Sequence, residues 1–279
     1  MAGRDGIVGL IAGAGTFPEL LAGAVKSAGR TLVCLQVAGE SAALATIADH
    51  YRRCPSGALR EVLETLSVHA VHEVLVAGQF PRVDLLAQGD AVRDTLMRVA
   101  PDRRDASLLE GLASLLASQG MVLIDQPRFV SHLLAPPGVL TARTPTPEEE
   151  ADVAFGRSVA RRLADLDIGQ TVVLRRGIIL AVEAAEGTDA TIRRGGHMIP
   201  ETVVVKVSRN HQDPRFDIPA VGPETITAMC DVEARVLCID ARRTLLLHSD
   251  RMIPAANEAG ITVVAADAPP LGTPVHGDA

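Results

Sequence analysis

Between Ile179 and Gly222 the chain alternates short apolar runs with clusters of charge. Ile179-Leu180-Ala181-Val182 breaks off into Glu183, Glu186, Gly187, Thr188 and Asp189, and Arg193 and Arg194 follow. Val203-Val204-Val205 ends on Lys206, ahead of Asn210-His211-Gln212-Asp213-Pro214-Arg215-Phe216-Asp217. Short β-branched runs that stop at charged residues are how strands deliver functional groups to the rim of a sheet. Carboxylate oxygens suit a hard divalent cation such as magnesium. Guanidinium forks and an ammonium beside them suit a phosphate. Read as plain structure, the same residues would be solvated loop charges. Asp189 would then cap a segment ahead of Arg193, Lys206 would be a strand-end lysine, and Asp217 would pair with Arg215.

A second constellation lies near the start. Ile7-Val8-Gly9-Leu10-Ile11 reads as a buried strand, followed by Ala12-Gly13-Ala14-Gly15-Thr16-Phe17-Pro18 and a helical run through Leu20, Leu21 and Val25. Pro18 suits the first turn of a helix. A glycine turn between strand and helix points backbone N–H groups at an anion. The pattern departs from the dinucleotide fingerprint, because Pro18 stands where the third glycine would be. The strand Thr31 to Gln36 also ends without the acid that would hold a ribose. Gly13, Gly15 and Thr16, with Gly78 and Gln79 at the end of a later strand, are candidates for ligand contact. A tight turn needed only for packing is the competing explanation.

Both constellations need a scaffold. Strands at 7–11, 31–36, 71–77 and 121–125 alternate with helical runs at 59–68 and 107–119, which predicts a parallel sheet covered on both faces. Ligands in such sheets sit at the carboxyl ends of strands. Ala135-Pro136-Pro137-Gly138 and Thr144-Pro145-Thr146-Pro147 are dense in breakers and place a domain boundary near 145. Thr146, Pro147, Glu148 and Glu149 read as a capped helix start. A hairpin follows, with strands 171–174 and 178–182 joined at Arg175-Arg176-Gly177. Further on come helices at 224–229 and 252–259 and strands at 234–240, 244–248 and 261–265.

Composition excludes several classes. Apolar residues make up 47% of the 279, enough for a sizeable core without disulfides. Aromatic residues reach only 2%, so base stacking is an unsuitable binding mode, and a net charge of -7 offers no field for a polyanion. Nucleic acid is therefore not an expected partner. Cys34, Cys54, Cys230 and Cys238 form no CxxC pair and lack histidines at zinc-site spacing, which fits reduced thiols in a cytoplasmic protein. Arg4 and Asp5 precede only a brief apolar run, unlike a secretory signal. No run approaches the length of a membrane span, so membrane contact is expected to be peripheral at most.

Taken together, LIAGAGTFPELLA, LTARTPTPEEEADVAFG, LDIGQTVVLRRGIILAVEAAEGTDATIRRGG and VVVKVSRNHQDPRFDIPAVGPETI resemble the LpxI family of bacterial UDP-2,3-diacylglucosamine pyrophosphatases, in order and over almost the whole chain. The resemblance implies a Rossmann-like domain over 1–144 and a distinct α/β catalytic domain over 145–279. It implies magnesium-dependent hydrolysis, with manganese as a substitute, of an acylated UDP-sugar to 2,3-diacylglucosamine 1-phosphate (lipid X) and UMP. It further implies that water attacks the α-phosphorus, that the protein works in the cytoplasm with at most peripheral contact at the inner face of the inner membrane, and that it forms a homodimer. One departure is Gln79, where the family commonly carries a basic residue.

On this reading Asp213 and Asp217 are candidate metal ligands and catalytic acids, with Glu186 and Asp189 completing an acidic wall. One of these carboxylates would instead take the proton from water. Lys206, Arg193 and Arg215 would neutralise phosphate charge, and Thr188 would contact the substrate. Two other classes compete. A nucleotide-sugar enzyme would bind a nicotinamide at Gly13 and Gly15, and a non-catalytic carrier would retain the acylated sugar and release no UMP.

Overall fold

The structure, a computed structural model, describes residues 6–54, 59–80, 105–210, 212–216 and 218–268. Contacts divide the chain into two compact units: Met1–Ser131 with Pro214–Asp217, and His132–Asp213 with Ile218–Ala279.

In the first unit, β1 (Ile7–Ala12), β2 (Thr31–Gln36), β3 (His50–Arg53), β4 (Glu73–Ala77) and β5 (Val122–Leu123) are all parallel, in the order β3-β2-β1-β4-β5. The central strands are near-continuous apolar runs because both faces are covered. Helices α1 (Phe17–Ser27), α2 (Ala42–Ile47), α3 (Leu59–Val68) and α4 (Asp105–Ser118) lie between strands. The strand order reverses between β1 and β4, which makes the carboxyl ends of these two strands the switch point of the sheet. Strand β3 was not foreseen: His50-Tyr51-Arg52-Arg53 has no apolar alternation, as suits an edge strand blunted by charge. A short helix, α5 (Pro127–Val130), closes the unit.

The second unit is built on a mixed sheet. Its strands are β6 (Gly138–Val139), β7 (Thr171–Arg175), β8 (Ile178–Val182), β9 (Val203–Lys206), β11 (Val236–Asp240) and β13 (Thr262–Ala266), ordered β6-β13-β11-β9-β7-β8. Strands β9, β11 and β13 run parallel, while β7, β8 and β6 join antiparallel. A small parallel pair, β10 (Ala220–Val221) with β12 (Leu245–Leu246), stands apart. Because β6 pairs with β13, the stretch around the breakers packs with this sheet. The contact division accordingly falls after Ser131.

Each face of the second sheet has its own core. Helix α6 (Pro147–Asp165) covers one face, where Ala160 and Ala164 meet Val172, Leu174, Val203, Val205 and Cys238. It begins in a full capping box between Thr146 and Glu149. Its buried Asp152 accepts from the N–H groups of Arg176 and Gly177, each at 2.7 Å, and so fixes the β7–β8 turn. On the other face, Ile192 of α7 (Thr188–Gly196), α8 (Pro223–Cys230) and α9 (Ser249–Glu258) pack on Val173, Ala181, Val204, Leu237 and Val263.

Helix α7 was not among the elements expected from the sequence, and it replaces the alternative of solvated loop charges for this segment. Its two glycines obscured the helical pattern, and packing explains them. A Cβ on Gly195 would lie 2.8 Å from Val173, and one on Gly196 would lie 2.3 Å from Val232. The cysteines are free thiols, with Cys34, Cys54 and Cys238 buried and Cys230 exposed. Burial pushes Cys34 and Cys238 up to about 12, so neither is a nucleophile near neutral pH. Among the described residues no helix is long and apolar enough to cross a membrane.

Candidate active site

Three neighbouring strands of the second sheet end in polar residues on the same face. Thr171 pairs with Lys206 across the β7–β9 ladder, and the Glu183 N–H donates to the Thr171 carbonyl at 2.8 Å, one residue past β8. Side chains alternate along a strand, so Thr171, Glu183 and Lys206 share the face of Val173, Ala181 and Val204, beneath α7. They form one row at the rim.

Thr188, the first residue of α7, sits over that row. Lys206 Nζ donates to Thr188 Oγ1 at 2.6 Å, and Thr188 Oγ1 donates to Glu183 Oε1 at 2.8 Å. Thr171 Oγ1 lies 3.5 Å from the same hydroxyl. The Gln170 N–H holds the other Glu183 oxygen at 3.1 Å. Burial pushes the Glu183 carboxyl up, but the Lys206 charge and these donors outweigh it and hold the group below its ordinary value. Gly169 is needed for this approach, since a Cβ there would lie 2.1 Å from the Glu183 carbonyl oxygen. Lys206 is only 5% exposed and Glu183 7%. Among the described residues the buried ammonium is held by one hydroxyl, which keeps donors for an incoming anion. Gly187, at a φ of +83°, starts α7 without a side-chain cap, so the first amides of the helix also face the rim.

Asp189 stands beside this row. It makes no hydrogen bond among the described residues, and burial raises its pKa, against the pull of Arg193 and Lys206 and with the push of Glu224 and Glu183. Glu186 lies on the exposed side and pairs with Arg194. Its own backbone N–H and Arg194 hold its pKa down. Arg193 donates to Asp231 at 3.0 Å in an exposed pair. The structure therefore brings Lys206, Thr188 and Asp189 together and gives Glu186 and Arg193 partners of their own.

The opposite face of the same rim carries a saturated network. Asp240, fully buried at the end of β11, accepts both guanidinium nitrogens of Arg161 at 3.0 Å and the N–H and hydroxyl of Ser208 at 2.7 and 2.9 Å. This bidentate pair pins α6 and the chain after β9 to the sheet, and it offers no free acceptor for chemistry.

In the first unit the glycine turns interlock at the switch point. Ala14 and Gln79 exchange backbone hydrogen bonds at 2.8 Å, and the Gly13 N–H donates to Ala77 at 2.7 Å. A Cβ on Gly13 would lie 2.5 Å from the Gln79 carbonyl oxygen, and Gly78, at a φ of +99°, meets the Ala14 carbonyl oxygen just as closely. Packing alone requires both glycines. Gly15, at a φ of +96°, and Thr16, which precedes α1, have no backbone acceptor for their N–H groups among the described residues.

The contact division passes between Asp213 and Pro214, so Asp213 belongs to the second unit and Arg215 to the first. The Arg215 guanidinium stands 5.1 Å from the centre of the Phe216 ring. Asp217 lies outside the described residues.

Comparison with known proteins places these elements in a family. The model of the LpxI N-terminal domain matches residues 7–133, and that of the LpxI C-terminal domain matches residues 136–264. The chain belongs to the LpxI family. A curated LpxI relative from Caulobacter vibrioides, named UDP-2,3-diacylglucosamine pyrophosphatase, is 30% identical over 281 residues. The match covers 93% of this chain and 97% of the relative. That name describes a hydrolase acting on a pyrophosphate bond. The two domain matches are separated in sequence near residue 134, close to the contact division after Ser131, and the C-terminal one takes in the mixed sheet up to residue 264, within β13.

The LpxI resemblance implies magnesium, and the donor chemistry fits in part. Among the described residues no group of three or more His, Cys, Asp or Glu side chains is placed to hold a metal ion. Magnesium needs only one or two carboxylates when substrate phosphates and waters fill its remaining positions. Asp189 supplies a carboxylate that accepts no hydrogen bond among the described residues, whereas both oxygens of Glu183 are engaged. Sequence reasoning passed over Glu183 as a site residue. The available signal was strand parity, which places Glu183 with Ala181 and Lys206 with Val204.

Proposed function

We propose that this chain hydrolyses the pyrophosphate of UDP-2,3-diacylglucosamine to UMP and 2,3-diacylglucosamine 1-phosphate, a step in building lipid A, in a magnesium-dependent reaction at the α-phosphorus. The observation that carries this reading is the near full-length match to a pyrophosphatase of that name, coupled to a buried lysine under an uncapped helix start. Attack on a diphosphate requires its negative charge to be neutralised and a water to be positioned. Lys206 donates to a phosphate oxygen, and the first amides of α7 add partial positive charge. Thr188 holds the ammonium in place, and Arg215 is a further candidate for phosphate charge. Bound magnesium would neutralise further charge and polarise the attacking water. Asp189, Asp213 and Asp217 are the residues to hold it, and one of them accepts the water proton. Gly15 and Thr16 are further candidates for substrate contact, with no backbone acceptor for their N–H groups among the described residues. We also propose that the protein acts in the cytoplasm as a homodimer.

The test is UMP release by the purified chain in water enriched in ¹⁸O. Label in UMP, loss of activity with EDTA and recovery with magnesium or manganese are the expected results. Label in the lipid product would move the attack to the other phosphorus. Retention of the lipid without UMP release would make the protein a carrier instead.

A further inference from the structure

We propose that Gln126 is a positioning residue for the reaction, holding the segment around Pro214-Arg215-Phe216 in place from a site 90 residues earlier in the chain. The proposal rests on the reading above that this segment carries part of the pyrophosphatase chemistry.

Gln126 is fully buried. Its Nε2 donates to the Val76 carbonyl at 2.6 Å and to the Phe216 carbonyl at 2.9 Å. Its backbone N–H donates to the Pro214 carbonyl at 3.1 Å. One residue thus ties the end of β4 to two carbonyls of the segment. The Phe216 ring packs against the core cluster that contains Val76 and Leu123, and the Arg215 guanidinium stands over that ring. These contacts explain why Pro214–Asp217 belongs to the first unit, although the residues on either side belong to the second.

The amide is held at a cost. Gln126 Oε1 is buried with no hydrogen-bond partner among the described residues, and an unsatisfied buried oxygen is destabilising. A residue there only to fill space would be better as leucine or methionine. The two donors of Nε2 are the property that apolar side chains lack, and both are spent on backbone carbonyls. Together with the backbone N–H on the Pro214 carbonyl, they fix the backbone on either side of Arg215, and so the point from which that side chain starts. Small displacements of positioned groups are expensive in rate.

The test uses Gln126→Leu and Gln126→Glu in the full chain, with two readouts. Hydrogen–deuterium exchange over residues 209–219 should quicken at least ~10-fold in Gln126→Leu while β1 and β2 keep their protection. UMP release should show kcat reduced by at least ~10-fold with KM little changed, the signature of lost positioning. A protonated Gln126→Glu side chain can still donate to one carbonyl, so this variant should recover part of kcat in acid and lose it as pH rises. Gln126→Glu also carries the test if Gln126→Leu does not fold. Unchanged exchange over 209–219 would overturn the tether. Faster exchange with unchanged kcat would leave Gln126 purely structural and overturn the positioning role. A wild-type chain that releases no UMP would defeat the functional reading instead, and the exchange measurement would still judge the tether.

Discussion

Glu183 and Lys206 approach from strands on either side of β7 and are joined through the hydroxyl of Thr188, which donates to one and accepts from the other. The ammonium is thereby fixed without a direct ion pair among the described residues. A direct pair would spend on Glu183 the charge that a phosphate needs. The hydroxyl instead leaves most of the donor capacity of Lys206 open and still compensates a buried carboxylate.

Lys206→Met should lower kcat/KM for UMP release by about 100-fold, the scale of losing one preorganised donor to a developing charge. Glu183→Gln should lower it less. If Glu183 acts through Lys206, the double variant should be no worse than Lys206→Met alone, a coupling that a double-mutant cycle in kcat/KM reads directly. Additive losses would separate the two residues.

Asp189 should show a trade between stability and activity. Its pKa is raised by burial, so the folded state holds the proton more tightly than the unfolded chain. The protonated form favours folding. That contribution is complete below the unfolded pKa and is lost as pH rises through the folded one. At neutral pH and without metal, Asp189→Asn should therefore raise the melting temperature, and the gain should vanish in acid. The same variant should lose UMP release and need more magnesium for what remains. A variant that is less stable at pH 7 in EDTA would contradict this.

Glu183 has the opposite sign. Its folded pKa is held below the ordinary value, so it stabilises the protein above the unfolded pKa, and that stabilisation is lost as pH falls through the folded pKa. Glu183→Gln should be less stable than wild type at neutral pH, with the difference closing in acid. Urea unfolding at a series of pH values measures it.

Asp240 and Arg161 separate architecture from chemistry. Breaking this fully buried pair with Asp240→Ala should cost about 3–5 kcal/mol, because a charged guanidinium is left without its partner. Protein that remains folded should keep the wild-type KM. Denaturant melts and initial rates on the same samples provide the comparison.

Gly169→Ala tests the seat of Glu183. The added methyl meets the Glu183 carbonyl oxygen, a backbone atom that cannot swing aside. A loss of about 1–3 kcal/mol is expected from the overpacking, together with reduced activity as Glu183 shifts. An unperturbed melting temperature would mean that the backbone relaxes freely there.

Much of the scaffold was legible in the sequence. Apolar runs at 7–12, 31–36 and 73–77, broken by glycine and spaced by amphipathic helices, required a parallel sheet. Thr146 and Glu149 announced their helix because a capping box is a local arrangement of four residues. Arg176-Gly177 announced the hairpin because its turn needs positive φ at both positions, which the structure shows at 50° and 75°. Lys206 was named from residue type, since few side chains can serve an anionic substrate, and Thr188 followed from the family resemblance.

Tertiary structure decided how those groups are used. Glu183, Glu186 and Asp189 lie within seven residues of one another and are chemically alike. Which one is buried beside Lys206, which is drawn off by Arg194 and which has no hydrogen bond among the described residues depends on strand register and on the helical form of Thr188–Gly196. Gly195 and Gly196 hid that helix, because their purpose is contact with Val173 and Val232, residues distant in the chain. Gln126 gave no signal for the same reason: its partners, Val76 and Phe216, are 50 and 90 residues away. Local sequence determines propensity and the stock of chemical groups, whereas pairing across strands determines burial, and burial sets which of those groups is charged, held or free.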